Sequence, residues 1–81
     1  MDTLVKEYVK VRADFTVDGR LVPLKFRTEE GPPQLIDRII DERPAPSLKA
    51  GGQGTRYTCR VGERLVYLFN DRNRWFTEQV E

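Results

Sequence analysis

The chain has 81 residues, 14 of them Lys or Arg and 13 Asp or Glu, with a formal net charge of +1, one cysteine and no histidine. That length fits one small domain closing a single modest core, and the near-balance of charge makes no global demand for a nucleic-acid or membrane partner. The lack of histidine excludes a Cys-His nucleophile and the usual zinc sites within one chain, while the lone cysteine excludes an intramolecular disulfide and fits a reducing cytoplasm.

Residues 1–7 read as a loose start without the apolar run of a signal peptide, and no later run approaches a membrane span. Then Val9, Val11, Ala13, Phe15 and Val17 alternate with Lys10, Arg12, Asp14, Thr16 and Asp18. Period two over ten residues predicts a strand with one buried and one wet face. Asp18-Gly19 marks a hairpin. In the returning strand Val22, Leu24 and Phe26 are expected to face in, and Pro23, Lys25 and Arg27 out. Pro23 has no N–H for a ladder, so that strand has a free edge there or a bulge.

Gly31-Pro32-Pro33 is a turn. Gln34 to Arg43 is ambiguous, because Leu35, Ile36, Ile39 and Ile40 have helical spacing but are rich in β-branching. The neighbouring strands favour an extended segment with a bulge near Arg38. A proline-stiffened connector, Arg43-Pro44-Ala45-Pro46-Ser47, leads into a glycine loop over Ser47–Gly54. Arg56–Val61 reads as a strand with Tyr57, Cys59 and Val61 on one face and Arg56, Thr58 and Arg60 on the other. After the turn at Gly62-Glu63, Leu65–Phe69 is apolar on both faces, the pattern of a deeply buried strand. Pairing through that turn is expected to bring Val66 or Leu68 beside the arginines and to leave Tyr67 with Tyr57. Asn70–Asn73 is a third turn, Arg74–Thr77 a last short strand, and 79–81 a loose end. The fold expected is all-β: one small domain over 8–78, a small antiparallel SH3-like barrel or strongly curved sheet of five to six short strands with little helix. Its expected core is Val11, Phe15, Leu24, Phe26, Ile36, Ile40, Tyr57, Leu65, Phe69 and Trp75.

Charge is unevenly spread. Residues 1–42 hold seven basic against nine acidic side chains, and residues 43–76 seven basic against two acidic. Lys49, Arg56, Arg60, Arg64 and Arg74 are therefore the candidate nucleic-acid contacts, because arginines beside aromatic rings suit a sugar-phosphate backbone with stacked bases. Gly51, Gly52 and Gly54 supply backbone freedom that suits either an anion-binding nest or a barrel corner. The loop lacks the Gly-Lys-Ser/Thr of a phosphate-binding loop, and no helix follows it as a dinucleotide fingerprint requires. Cys59 reads as a buried structural thiol. Glu29-Glu30 and Asp41-Glu42 read as solvated turn charges. No catalytic residue, metal or cofactor is expected.

Taken together, Asp18-Gly19-Arg20, Pro23-Leu24, Ile36-Asp37-Arg38, Ser47-Leu48-Lys49-Ala50-Gly51-Gly52, Arg56-Tyr57-Thr58-Cys59-Arg60, Tyr67-Leu68-Phe69 and Trp75-Phe76 resemble a group of small bacterial proteins of unknown function. The resemblance spans about Tyr8 to Glu78. It implies a DNA-damage context, because genes of that group often lie beside those of error-prone, Y-family DNA polymerases, and it carries over no catalytic residue. The expected function is a non-enzymatic binding module, a cytoplasmic monomer contacting single-stranded nucleic acid or a DNA-repair protein, with no membrane association. The alternative is an SH3-like protein–protein adaptor using an aromatic groove or an edge strand.

Overall fold

The structure, a computed structural model, describes residues 4–44 and 54–80, and the side chains of 7–44 and 54–77. Seven strands occur: β1 (Leu4–Phe15), β2 (Leu21–Arg27), β3 (Gln34–Leu35), β4 (Arg38–Pro44), β5 (Thr55–Val61), β6 (Arg64–Asp71) and β7 (Arg74–Val80). All pairings are antiparallel, in one curled half-barrel sheet of order β3-β2-β1-β7-β6-β5-β4, with no helix among the described residues. The strand reading of 34–43 therefore holds. The count exceeds five to six because Ile36 and Asp37 divide that segment into β3 and β4.

Local chemistry sets the hairpins. Alternation drives β1 and β2, and between them Gly19 takes a φ of 88°, which a residue with a Cβ rarely adopts. The Thr16 N–H donates to the Arg20 carbonyl at 2.7 Å and the Gly19 N–H to the Thr16 carbonyl at 2.9 Å, closing the loop. Gly62-Glu63 and Arg72-Asn73 turn β5 into β6 and β6 into β7.

β1 joins these local units. Its first half pairs with β7, from Leu4 opposite Val80 to Val9 opposite Trp75, and its second half pairs with β2, from Lys10 opposite Arg27 to Phe15 opposite Leu21. Residues 4–7 and 79–80, expected to be loose, are thus strand, held by a pairing between the two ends of the chain that no local pattern announces. β3 and β4 lie at opposite ends of the strand order yet only two residues apart in sequence. In that passage the Ile36 N–H donates to the Leu24 carbonyl at 2.9 Å and the Asp37 N–H to the Arg60 carbonyl at 2.8 Å. One short segment thereby satisfies both sheet ends, which limits the edge left open to other chains.

The inner face holds Val9, Phe26, Tyr57, Cys59, Val61 and Leu68, with Val11, Ile36, Ile39, Val66 and Trp75 packed against them. The Tyr57 hydroxyl donates to the Leu21 carbonyl at 2.8 Å, so its polar end is satisfied across the curl.

Four residues expected in the core are exposed: Phe15, Leu24, Ile40 and Leu65. Two of them are bulge residues. Arg12 pairs with Lys25 and Ala13 with Pro23, so Leu24 is the extra residue; Ile39 pairs with Cys59 and Asp41 with Thr58, so Ile40 is extra. Each bulge breaks the period-two phase, so Pro23, expected to face out, is buried while Leu24 is turned away. The bulge expected near Arg38 falls two residues later. Phe15 keeps the inward phase but stands at the end of β1, beyond the packed layer, and is 74% exposed. Leu65 sits on the outer face, opposite Arg60.

Candidate functional site

Residues directly opposite one another in an antiparallel pair share a face, so the registers assign the outer face of the sheet from β4 to β1. Tyr67 lies opposite Thr58, and Phe69 opposite Arg56. This corrects the expectation that Tyr67 would join Tyr57: with only Gly62 and Glu63 in the turn, Val61 faces Arg64 and the phase follows from there. One outer row crosses five strands as Arg43, Arg56, Phe69, Phe76 and Tyr8. The next row reads Asp41, Thr58, Tyr67, and the one after it Arg38, Arg60, Leu65.

The middle of the long row is a second apolar cluster. Phe69 and Phe76 stack nearly parallel, centroids 5.1 Å apart and planes 4° apart, and Tyr8 meets Phe76 edge-on at 5.9 Å. Both phenylalanines are buried although they face away from the core. β6 is accordingly apolar on both sides, but it is not the deeply buried strand expected, since Leu65 and Tyr67 are exposed on the outer face.

Around this cluster, two tyrosines stand half-exposed beneath arginines. Tyr67 and Tyr8 are 50% and 48% exposed. The Arg56 guanidinium carbon lies 4.9 Å from the Tyr67 ring centre, and that of Arg74 lies 5.7 Å from the Tyr8 ring centre. Arg74 Nη1 also donates to the Tyr8 hydroxyl at 3.3 Å. Such cation–π pairs hold a guanidinium flat against a ring. Arg56 Nε is buried with no hydrogen-bond partner among the described residues, and its guanidinium lies against the Tyr67 ring.

Charge on this face is lopsided. On β4 to β7, Arg38, Arg43, Arg56, Arg60 and Arg74 face Asp41 and Asp71 alone among the described side chains, and β1 adds Lys10 and Arg12 against Asp14. Arg38 stands directly opposite Arg60, and Arg43 opposite Arg56, an arrangement that repels across the ladder. Asp41 relieves part of it through a 2.8 Å pair with Arg43, which raises the Arg43 pKa through that hydrogen bond.

Of the residues singled out by sequence, Arg56, Arg60 and Arg74 come together on this face. Arg64 does not join them: opposite Val61 it takes the inner phase at the mouth of the curl and donates to Gln34 Oε1. Lys49, Gly51 and Gly52 lie outside the described residues. Gly54 marks a packed corner, since a Cβ there would sit 2.5 Å from the Asn70 carbonyl oxygen. Tyr8, Arg38 and Arg43 were not singled out. They reach the site through β1–β7 and β4–β5 pairing, and only alternation with Val9 and Ile39 hinted at their outward phase.

Cys59 is a buried thiol, as expected; burial pushes it up to about 11, away from the reactive thiolate. Burial also raises the Tyr57 hydroxyl. Among the described residues no three of Cys, Asp and Glu are grouped so as to hold a metal ion, and no helix is long and apolar enough to cross a membrane. No protein-family model, curated protein or solved structure matches this chain.

Proposed function

We propose that the outer face from β4 to β1 binds single-stranded nucleic acid, as a non-enzymatic module working in a DNA-damage context. The observation that carries the reading is the pairing of half-exposed tyrosines with arginines, Tyr67 with Arg56 and Tyr8 with Arg74, on a face where cations stand opposite cations. Exposed rings on a sheet offer stacking platforms that accept any base, and the arginines supply the positive groove that follows the backbone. The guanidinium planes are themselves stacking surfaces for bases, so ring and cation serve one ligand. The damage context rests on the family resemblance alone.

The test is a titration of labelled oligothymidylate at several salt concentrations. About three phosphates engaged at roughly −0.7 each give a log–log salt slope near −2. Arg38 and Arg60 are both exposed, so Arg38→Ala with Arg60→Ala probes charge without disturbing packing. That double change is expected to make the slope shallower by about 1.4. Tyr67→Ala is expected to weaken binding by about 1–3 kcal/mol, the worth of one stacked base, with an unchanged circular dichroism spectrum. No binding at low salt, or binding indifferent to all three changes, would overturn the reading. Leu65, 60% exposed two residues from Tyr67, favours the adaptor as second reading; a peptide held there would bind with little dependence on salt.

A further inference from the structure

The second half of β1 and its partner β2 carry a separate cluster of cations. Lys10 stands directly opposite Arg27, and Arg12 directly opposite Lys25, so four positive side chains occupy two adjacent rungs of one face. Like charges on facing positions destabilise a ladder, and here two such rungs are stacked in succession. Among the described residues no ion pair neutralises them. The ion pairs among the described residues are Arg20–Glu42 and Arg43–Asp41, neither of which touches this quartet. Asp14, on the same face one rung beyond Arg12 and opposite Val22, forms no ion pair with it.

The β2 half of the quartet has a strand on each edge. β2 pairs with β1 on one edge, while Lys25 and Phe26 pair with β3 on the other. The bulge at Leu24 lies immediately beside the Arg12–Lys25 rung and brings both strands into the phase that sets all four cations on one side. The same residues line a cleft of about 320 Å³, with Val11, Phe26 and Pro33 as its apolar part. Successive side chains on one face of a strand are roughly 6–7 Å apart and facing strands about 4.8 Å apart. The quartet is therefore four cations rooted on a rectangle of paired backbone positions beside a cleft, with no ion pair to a described carboxylate.

We propose that this quartet is a second anion site, holding adjacent phosphate groups of one ligand. Each rung supplies two cations to one phosphate, and binding relieves the repulsion between them. The site does not use the Tyr67 and Tyr8 rings, although Lys10 follows Tyr8 by two residues on the same face of β1, so it is distinct in residues from the function proposed above but adjacent to it on the sheet. Adjacent phosphates come from two sources: the backbone of a bound nucleic-acid strand, or a free polyphosphate.

The probes are sodium tripolyphosphate and an oligothymidylate, followed by the amide shifts of Lys10–Arg12 and Lys25–Arg27 and by titration calorimetry at low salt. Tripolyphosphate is expected to move those amides, and Lys10→Gln with Lys25→Gln to weaken it at least tenfold. Because that double change removes one member of each repelling rung, the unliganded melting temperature is expected to hold or rise, so lost binding cannot be ascribed to unfolding. Arg38→Ala with Arg60→Ala is expected to leave tripolyphosphate affinity within twofold. Displacement of tripolyphosphate by oligothymidylate assigns the site to a nucleic-acid backbone; simultaneous binding of both assigns it to a free polyphosphate. Either result supports a phosphate site. Absence of tripolyphosphate binding, or binding that Lys10→Gln with Lys25→Gln leaves unchanged, would overturn it, whatever becomes of oligothymidylate binding at Tyr67.

Discussion

The inner and outer faces of the sheet from β4 to β1 use the same strands, residue by alternate residue, and both contain buried rings. Inside, Tyr57, Cys59 and Leu68 are almost fully enclosed, and their polar groups are matched, the Tyr57 hydroxyl to the Leu21 carbonyl and the Cys59 thiol to the Tyr57 carbonyl. Outside, Phe76 and Phe69 are enclosed to a similar degree, but their neighbours are half-exposed tyrosines, arginines and two rungs of like charge. Depth of burial therefore does not separate a core from a binding platform here. The surroundings do: the inner face is polar-satisfied and complete, whereas the outer face carries charge the fold leaves unbalanced. A net charge of +1 hides this, because many of the acidic residues sit in turns and on the inner rim.

The largest effect expected tests whether the outer rings bear on stability at all. Phe76→Ala should cost about 3–5 kcal/mol in urea unfolding, as removal of a buried phenylalanine does elsewhere. A loss as small as that of a surface substitution would reduce the outer stack to a ligand platform and break the likeness between the faces.

The alkaline limb sharpens the inner side of the comparison. Burial raises the Cys59 thiol from 9.0 to about 11, so the folded state favours the protonated form. That contribution is fully present below the unfolded value and is lost as pH rises through the folded one, at most about 2–3 kcal/mol. Urea melts between pH 9 and 11 should show the decline, and Cys59→Ala should flatten it. An unchanged decline in that variant would assign it to other groups, with the Tyr57 hydroxyl the first to examine.

The smallest effect is expected at Phe15, which alternation placed in the core. At 74% exposure, Phe15→Ala should change stability by no more than about 0.5 kcal/mol. A loss near that of Phe76→Ala would mean the inner layer reaches further along β1 than the packing indicates.

These contrasts also show what could be read from the chain. The β1–β2 hairpin and the β5–β6–β7 meander were legible because alternation and turn residues are local signals: Asp18-Gly19, Gly62-Glu63 and the Asn70–Asn73 stretch each mark a reversal. Leu24 and Ile40 were misplaced because a bulge absorbs one residue without leaving a compositional mark, and Ile39-Ile40 gives no phase to extrapolate from. Tyr67 was assigned to the wrong face through a register error of one residue, which inverts every side chain on a strand. Half of the candidate site was visible as arginines in the second half of the chain. Tyr8, Lys10, Arg12, Lys25 and Arg27 carry no such mark, because they belong to a segment whose summed charge is negative. Their meaning comes from which residue stands opposite, and that is set by pairing, not by composition.

The divided pairing of β1 joins contacts of very different sequence separation. The β1–β2 hairpin and the β5–β6–β7 meander close through short loops, at little entropic cost. Joining them requires the stretch from Leu4 to Val9 to find Trp75 to Val80, nearly the whole chain away. Contacts of such sequence separation form late and slowly. During synthesis, then, the first strand is made early but keeps half of its hydrogen-bonding edge unmatched until the final strand emerges. Over that interval Tyr8 and Phe76 have not met, so the outer platform holds Tyr67 and the Phe69–Phe76 stack of the meander and gains Tyr8 only when β1 pairs with β7.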